Sequence, residues 1–334
     1  MEAHARRRRG LLGAGADIFT EAAGVALGLF KVMVPVVIAV KVLQELDLIR
    51  HLAWPLKPVM GLVGLPAEMG LVWATAMANN IYSGLIVLLA LAEKTGLTAA
   101  QATVLGTMVL VAHGLPVELR IARAAGPRLL FQGALRVVGA FVLGWLLHVA
   151  CQAFGALQGP ANILITAGGK TAEPGWTAWA LGEVRNLASI FAIILALVAL
   201  MRVMRRIRAT ELLDWLLRPV LRLMGVGSRA STITVIGLTM GLSYGGGLII
   251  REARSGAVDR RDVFFSLSFM GLCHSLVEDT LLIAMAGGAF SGILWGRLIF
   301  SLVAIAALAA VSRRLPQSFG DRWLWGPPPI KEAL

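Results

Sequence analysis

The chain has 334 residues, of which 57% are hydrophobic and 15% charged, and its mean hydropathy is +0.78. Soluble domains run nearer a quarter charged, so a water-soluble fold around one buried core is excluded. The net charge of +12 is then a topological signal of a membrane protein rather than a nucleic-acid footprint, and two cysteines make no disulfide framework.

In chain order, residues 1–16 hold Arg6 to Arg9 and read as a basic cytoplasmic N-terminus. The apolar segment from Asp17 to about Val42 is longer than a signal-peptide core and carries Lys31 and Pro35, which makes it a retained first span. Further apolar stretches lie near 62–92, 98–122, 129–155, 178–204, 229–250, 263–287 and 289–312. If all of them crossed, the arginine-rich segment 202–222 would face outside, against the positive-inside tendency. If 62–92 and 229–250 instead enter and return on one side, 22 Lys/Arg fall inside and 5 outside. The prediction is six crossings, an external linker over 157–177 and a short solvated cytoplasmic tail over 313–334, which contains Pro327 to Pro329.

The two halves carry polar residues in register. Tyr82 and Tyr244 lie 162 apart; His113 and His274, Glu118 and Asp279, and Arg136 and Arg297 each lie 161 apart. Each repeat, 17–156 and 178–312, would hold three crossings and one re-entrant, broken helical hairpin. Three is odd, so the second copy is inverted relative to the first. The expected fold is an all-α polytopic membrane protein with two inverted-topology repeats, an architecture of secondary transporters whose site lies near the midplane.

Two polar constellations stand out. The segments ATAMANNIYSG and GLTMGLSYGGG set Asn79, Asn80, Tyr82, Ser83, Ser243, Tyr244, Gly245 and Gly246 in apolar surroundings. Consecutive glycines weaken a helix, and broken backbone at membrane depth is tolerated where it lines a cavity. These residues are therefore candidates to bind a solute, although glycines also permit close helix packing. The second constellation is VAHGLPVELR with GLCHSLVEDT, which supplies His113, Glu118, His274, Glu278 and Asp279. A mid-span ionisable group costs about 2.5–3.5 kcal/mol on insertion scales, so it faces a cavity or a partner. His274 and Glu278, four apart, share one face of a helix, while Pro116 must disturb the helix between His113 and Glu118. Such a set suits proton relay, metal binding or hydrogen bonding to a solute. Arg136 and Arg297 can instead form structural ion pairs with the acids. Cys273, His274 and Glu278 have ligand types for a divalent metal, but Ala112 stands where a matching cysteine would be. The phosphate-loop, HExxH and dinucleotide-glycine motifs are absent, so neither an enzyme nor a cofactor is expected.

The stretches MGLVGLPAEMGLVWATAMANNIYSG with VLVAHGLPVEL, and SYGGGLIIREARSG with GLCHSLVEDT, resemble the nucleoside-recognition, or Gate, domain membrane proteins. The resemblance spans both halves and is nearest to stand-alone members with two such domains. It implies a bacterial inner-membrane protein that moves a small polar solute, with a nucleoside-like solute leading. Because Gate domains also occur in ferrous iron permeases and spore-maturation proteins, a divalent-metal permease and a non-transporting assembly partner remain open. Expected partners are the solute and membrane lipid, without nucleic acid, and a homodimer is compatible with the pattern.

Overall fold

The computed structural model describes residues 2–165, 176–207, 209–223 and 227–326. Among these, the regular structure is helical apart from one isolated bridge between Thr98 and Pro160. The first half runs α1 (Glu2–Glu45), α2 (Leu48–Ala53), α3 (Lys57–Leu62), α4 (Met69–Ala78), α5 (Ile81–Thr95), α6 (Ala99–Val111), α7 (Leu115–Ala125) and α8 (Leu129–Ala153). The second runs α9 (Trp176–Arg206), α10 (Ala209–Leu223), α11 (Ser228–Met240), α12 (Leu242–Arg254), α13 (Arg260–Cys273), α14 (Glu278–Met285) and α15 (Arg297–Ser312). A π-helical turn over Ser291–Gly296 leads into α15, and a short α16 (Gln317–Trp323) closes the described chain.

Among the described residues, six helices are long and apolar enough to cross a bilayer: Gly15–Glu45, Ala99–Ala125, Leu129–Ala153, Trp176–Met204, Arg260–Met285 and Ser291–Ser312. The protein is an all-α polytopic membrane protein. The two that run Ala99–Ala125 and Arg260–Met285 are the most buried, and both are interrupted, α6 from α7 and α13 from α14. The four others expose apolar side chains such as Leu27, Val138, Val184 and Val303, as a lipid-facing surface requires. The segments expected to re-enter are the shorter pairs α4/α5 and α11/α12. The start of α12 follows that of α5 by 161 residues, α13 follows α6 by the same number, and the π-turn before α15 follows α8 by 162.

The helix starts obey local chemistry. Thr98 caps α6 by accepting the Gln101 amide at 3.2 Å while the Gln101 side chain accepts the Thr98 amide at 3.1 Å, a capping box. Asp259, 161 residues on, caps α13 by accepting the Arg261 amide at 2.8 Å. Thr98→Ala is expected to cost about 1 kcal/mol of stability in detergent, read as a shift in thermal unfolding; Thr98→Asn, which keeps the acceptor, is expected to keep most of it.

Two segments outside the spans are packed against the helices. The segment after 313 is not simply solvated: through residue 326 it is docked, with Arg260 donating to the Asp321 carboxylate at 3.0 Å and to the Gly326 carbonyl at 2.8 Å. Trp325 is buried against Phe264. The linker over 157–177 is ordered against the helix ends as far as 165, with Ala99 donating to Gly159 and Leu164 to Met285. Residues 166–175 and 327–334 lie outside the described residues.

Candidate functional site: a buried histidine pair between two helix breaks

The interrupted helices create the site. Helix α6 ends at Val111, Gly114 takes the left-handed conformation at φ 58°, and Pro116 opens α7 in its first turn, where a proline needs no amide partner. Helix α13 ends at Cys273 and the left-handed residue is Ser275 at φ 52°, without glycine or proline. His274 and Glu278 therefore do not share one helix face as their spacing predicted; His274 closes α13 and Glu278 opens α14. Each break is tied to a hairpin by one amide. Gly114 donates to the carbonyl of Ala76 at 2.9 Å, and Leu276 donates to that of Leu238 at 2.8 Å, two contacts 162 residues apart.

His113 and His274 meet across these breaks with their Nε2 atoms 3.2 Å apart. Each Nδ1 lies 2.9 Å from a carbonyl four residues back, Val109 for His113 and Met270 for His274. Glu118 Oε1 stands 3.6 Å from His113 Nε2 and 3.4 Å from His274 Nε2, and Asp279 Oδ2 stands 3.6 Å from His113 Nε2. All four side chains are buried, none more than 9% exposed. The acids sit in the first turns of α7 and α14, where the helix dipole favours negative charge.

The arginines differ. Arg136 ion-pairs with Glu118 and donates from Nε to Val111 O and from Nη2 to His113 O, both at 2.9 Å. It thereby satisfies carbonyls freed by the end of α6. Arg297 donates to Thr280 Oγ1 at 3.2 Å, is fully buried, and leaves Nε and Nη1 without a hydrogen-bond partner. Among the described residues no carboxylate lies within ion-pair distance of it, so of the two expected structural pairs only that of Arg136 forms.

The hairpin candidates divide. Tyr82 donates to Glu278 Oε1 at 3.2 Å, which carries the first hairpin to the second break. Asn79, Asn80 and Ser83 bond to one another: Asn79 donates to Ser83 Oγ at 2.6 Å, and Asn80 Oδ1 accepts the Ser83 amide at 2.9 Å. Their polarity is spent closing the gap between α4 and α5. Gly245 faces Gly237 and Gly246 faces Ile121 so closely that an added Cβ would stand 2.4 Å from Gly237 Cα or from Ile121 Cγ2. Both were expected to bind solute; in the structure both lie at close helix contacts. The side chains of Ser243 and Tyr244 lie outside the described residues.

The metal ligands offered from the sequence as an alternative, Cys273, His274 and Glu278, do not converge as a set among the described residues; the ligand atoms that do are those of His113, Glu118 and His274. Sequence reasoning passed over Gln132, whose side chain donates to Ser268 Oγ at 2.9 Å and joins α8 to α13. Two buried polar residues in apolar spans were the available signal.

Paired interrupted spans with ionisable groups at both breaks form the centre of this polytopic membrane protein. Residues 187–290 match the family model Gate, described as nucleoside recognition, and the matched stretch contains His274, Glu278 and Asp279. The chain is also similar to the uncharacterized membrane protein YvoD of Bacillus subtilis (strain 168), 29% identical over 281 residues, which cover 79% of this chain and 86% of that protein. No solved structure matches it.

Proposed function

We propose that the protein is a transporter or facilitator of a small polar solute in a bacterial inner membrane. Its site is the centre of His113, Glu118, His274 and Asp279, where two inverted repeats meet. The observation that carries this reading is the 3.2 Å contact between histidines from the two helix breaks. Buried ionisable groups at the ends of discontinuous spans are costly, and their use is to hold a solute or pass a proton. The lysine and arginine distribution supports cytoplasmic termini. The matched domain's description makes nucleosides the first solutes to test.

The test is uptake into proteoliposomes of labelled nucleosides, nucleobases, amino acids and divalent cations. The wild type is expected to accumulate one of these classes. His113→Ala with His274→Ala is expected to abolish uptake while the protein stays monodisperse in detergent. Each single variant is expected to lose nearly as much as the pair, because residues acting as one unit are non-additive. Wild-type uptake by the double variant would refute the assignment.

A further inference from the structure

The geometry points to a binding site for one divalent transition-metal ion at the centre, with His113 Nε2, His274 Nε2 and Glu118 Oε1 as ligands. This rests on the same centre as the transport reading and names what it holds. A neutral imidazole has one N–H and one lone pair. Each Nδ1 faces a carbonyl oxygen, which only accepts, so each Nδ1 carries its hydrogen. Both Nε2 lone pairs then point at one another across 3.2 Å, with a carboxylate oxygen beside them. Two opposed lone pairs and an anionic oxygen, all buried, require a shared cation.

The edge lengths favour a metal over a proton. Ligands about 2.0–2.1 Å from a tetrahedral ion stand about 3.3–3.4 Å from one another. The triangle formed here has edges of 3.2, 3.4 and 3.6 Å. One shared proton would account for the first edge and make the other two ordinary ion-pair contacts; what favours the metal is that all three edges lie near the ligand–ligand spacing of one tetrahedral ion. The outer contacts are those that metal-ligating groups use: each histidine donates its other nitrogen to a backbone carbonyl, and Arg136 holds the Glu118 oxygen that does not face the histidines. Asp279 stands 3.6 Å from His113 Nε2, beside one of the three ligands. Two imidazoles and carboxylates suit Zn(II), Fe(II), Co(II) or Mn(II).

The test is a titration of chelator-stripped protein in detergent with Co(II), followed in the visible region and by metal analysis. The expected result is one Co(II) per chain with the strong d–d bands of a four-coordinate N/O site. His274→Ala and His113→Ala are each expected to weaken binding by more than the about 10–100-fold that outer contacts cost; Cys273→Ser is expected to leave it unchanged. A stripped wild type that takes up no Co(II) overturns the site and leaves a shared proton in its place. A thiolate charge-transfer band, or full binding by either folded histidine variant, overturns the ligand assignment. If a histidine variant does not fold, the wild-type stoichiometry and bands decide. Organic-solute uptake by a protein that binds no metal would sink this inference and spare the transport reading.

Discussion

Replacing Arg136 with leucine is expected to destabilise the protein by about 3–5 kcal/mol, among the largest single effects available in this fold. The side chain is 2% exposed and meets three acceptors: the Glu118 carboxylate and the carbonyls of Val111 and His113. Removing it strands a buried anion and two carbonyls at once. Arg136→Lys is expected to lose much of the same stability, since an ammonium is a compact point charge and lacks the fork that reaches acceptors in separate directions. Arg136→Leu combined with Glu118→Leu is expected to recover a large part of the loss, because no charge is then left alone. Reversible unfolding in mixed micelles measures all three variants. A loss near the 0–1 kcal/mol of an exposed ion pair would show that water reaches the guanidinium.

The second large effect is expected at Gly245. A Cβ there would stand 2.4 Å from Gly237 Cα and 2.8 Å from Gly237 N, and helix backbone cannot yield as a flexible side chain can. Gly245→Ala is expected to cost at least the about 1–3 kcal/mol of overpacking, and Gly245→Leu to prevent the α11/α12 hairpin from forming. The first hairpin repeats the contact 161 residues earlier, where a Cβ on Gly84 would lie 2.7 Å from the Cβ of Ala76. Gly247 is the control: nothing stands within 4 Å of its added Cβ, so Gly247→Ala is expected to be neutral or slightly stabilising. Yield of monodisperse protein and its melting temperature separate these outcomes. Equal behaviour at 245 and 247 would show that the two hairpin helices are not in contact.

Much of this arrangement was legible in the sequence because polar residues in apolar spans are few. The constant offset linking His113 to His274 and Glu118 to Asp279 marked the residues that the fold brings together. The interruption after His113 was visible too, since Gly114 and Pro116 announce it. Its counterpart after His274 was hidden: Ser275 adopts the left-handed turn with no glycine or proline to signal it, so spacing suggested an unbroken helix. The hairpin glycines fit either solute contact or close packing, and pattern alone does not measure the gap between two backbones. Of the structural ion pairs expected at Arg136 and Arg297, only that of Arg136 forms among the described residues; Asp279, 161 residues after Glu118 and one methylene shorter, lies beside His113 instead.

That missing pair sets the two flanks of the centre apart. Two guanidinium nitrogens of Arg297 are buried with no hydrogen-bond partner among the described residues, each at a cost of about 1–3 kcal/mol, while the corresponding nitrogens of Arg136 are satisfied. The observed state is thus relaxed on one flank and unrelieved on the other, and an oxygen brought to Arg297 would relieve a cost that Arg136 does not carry.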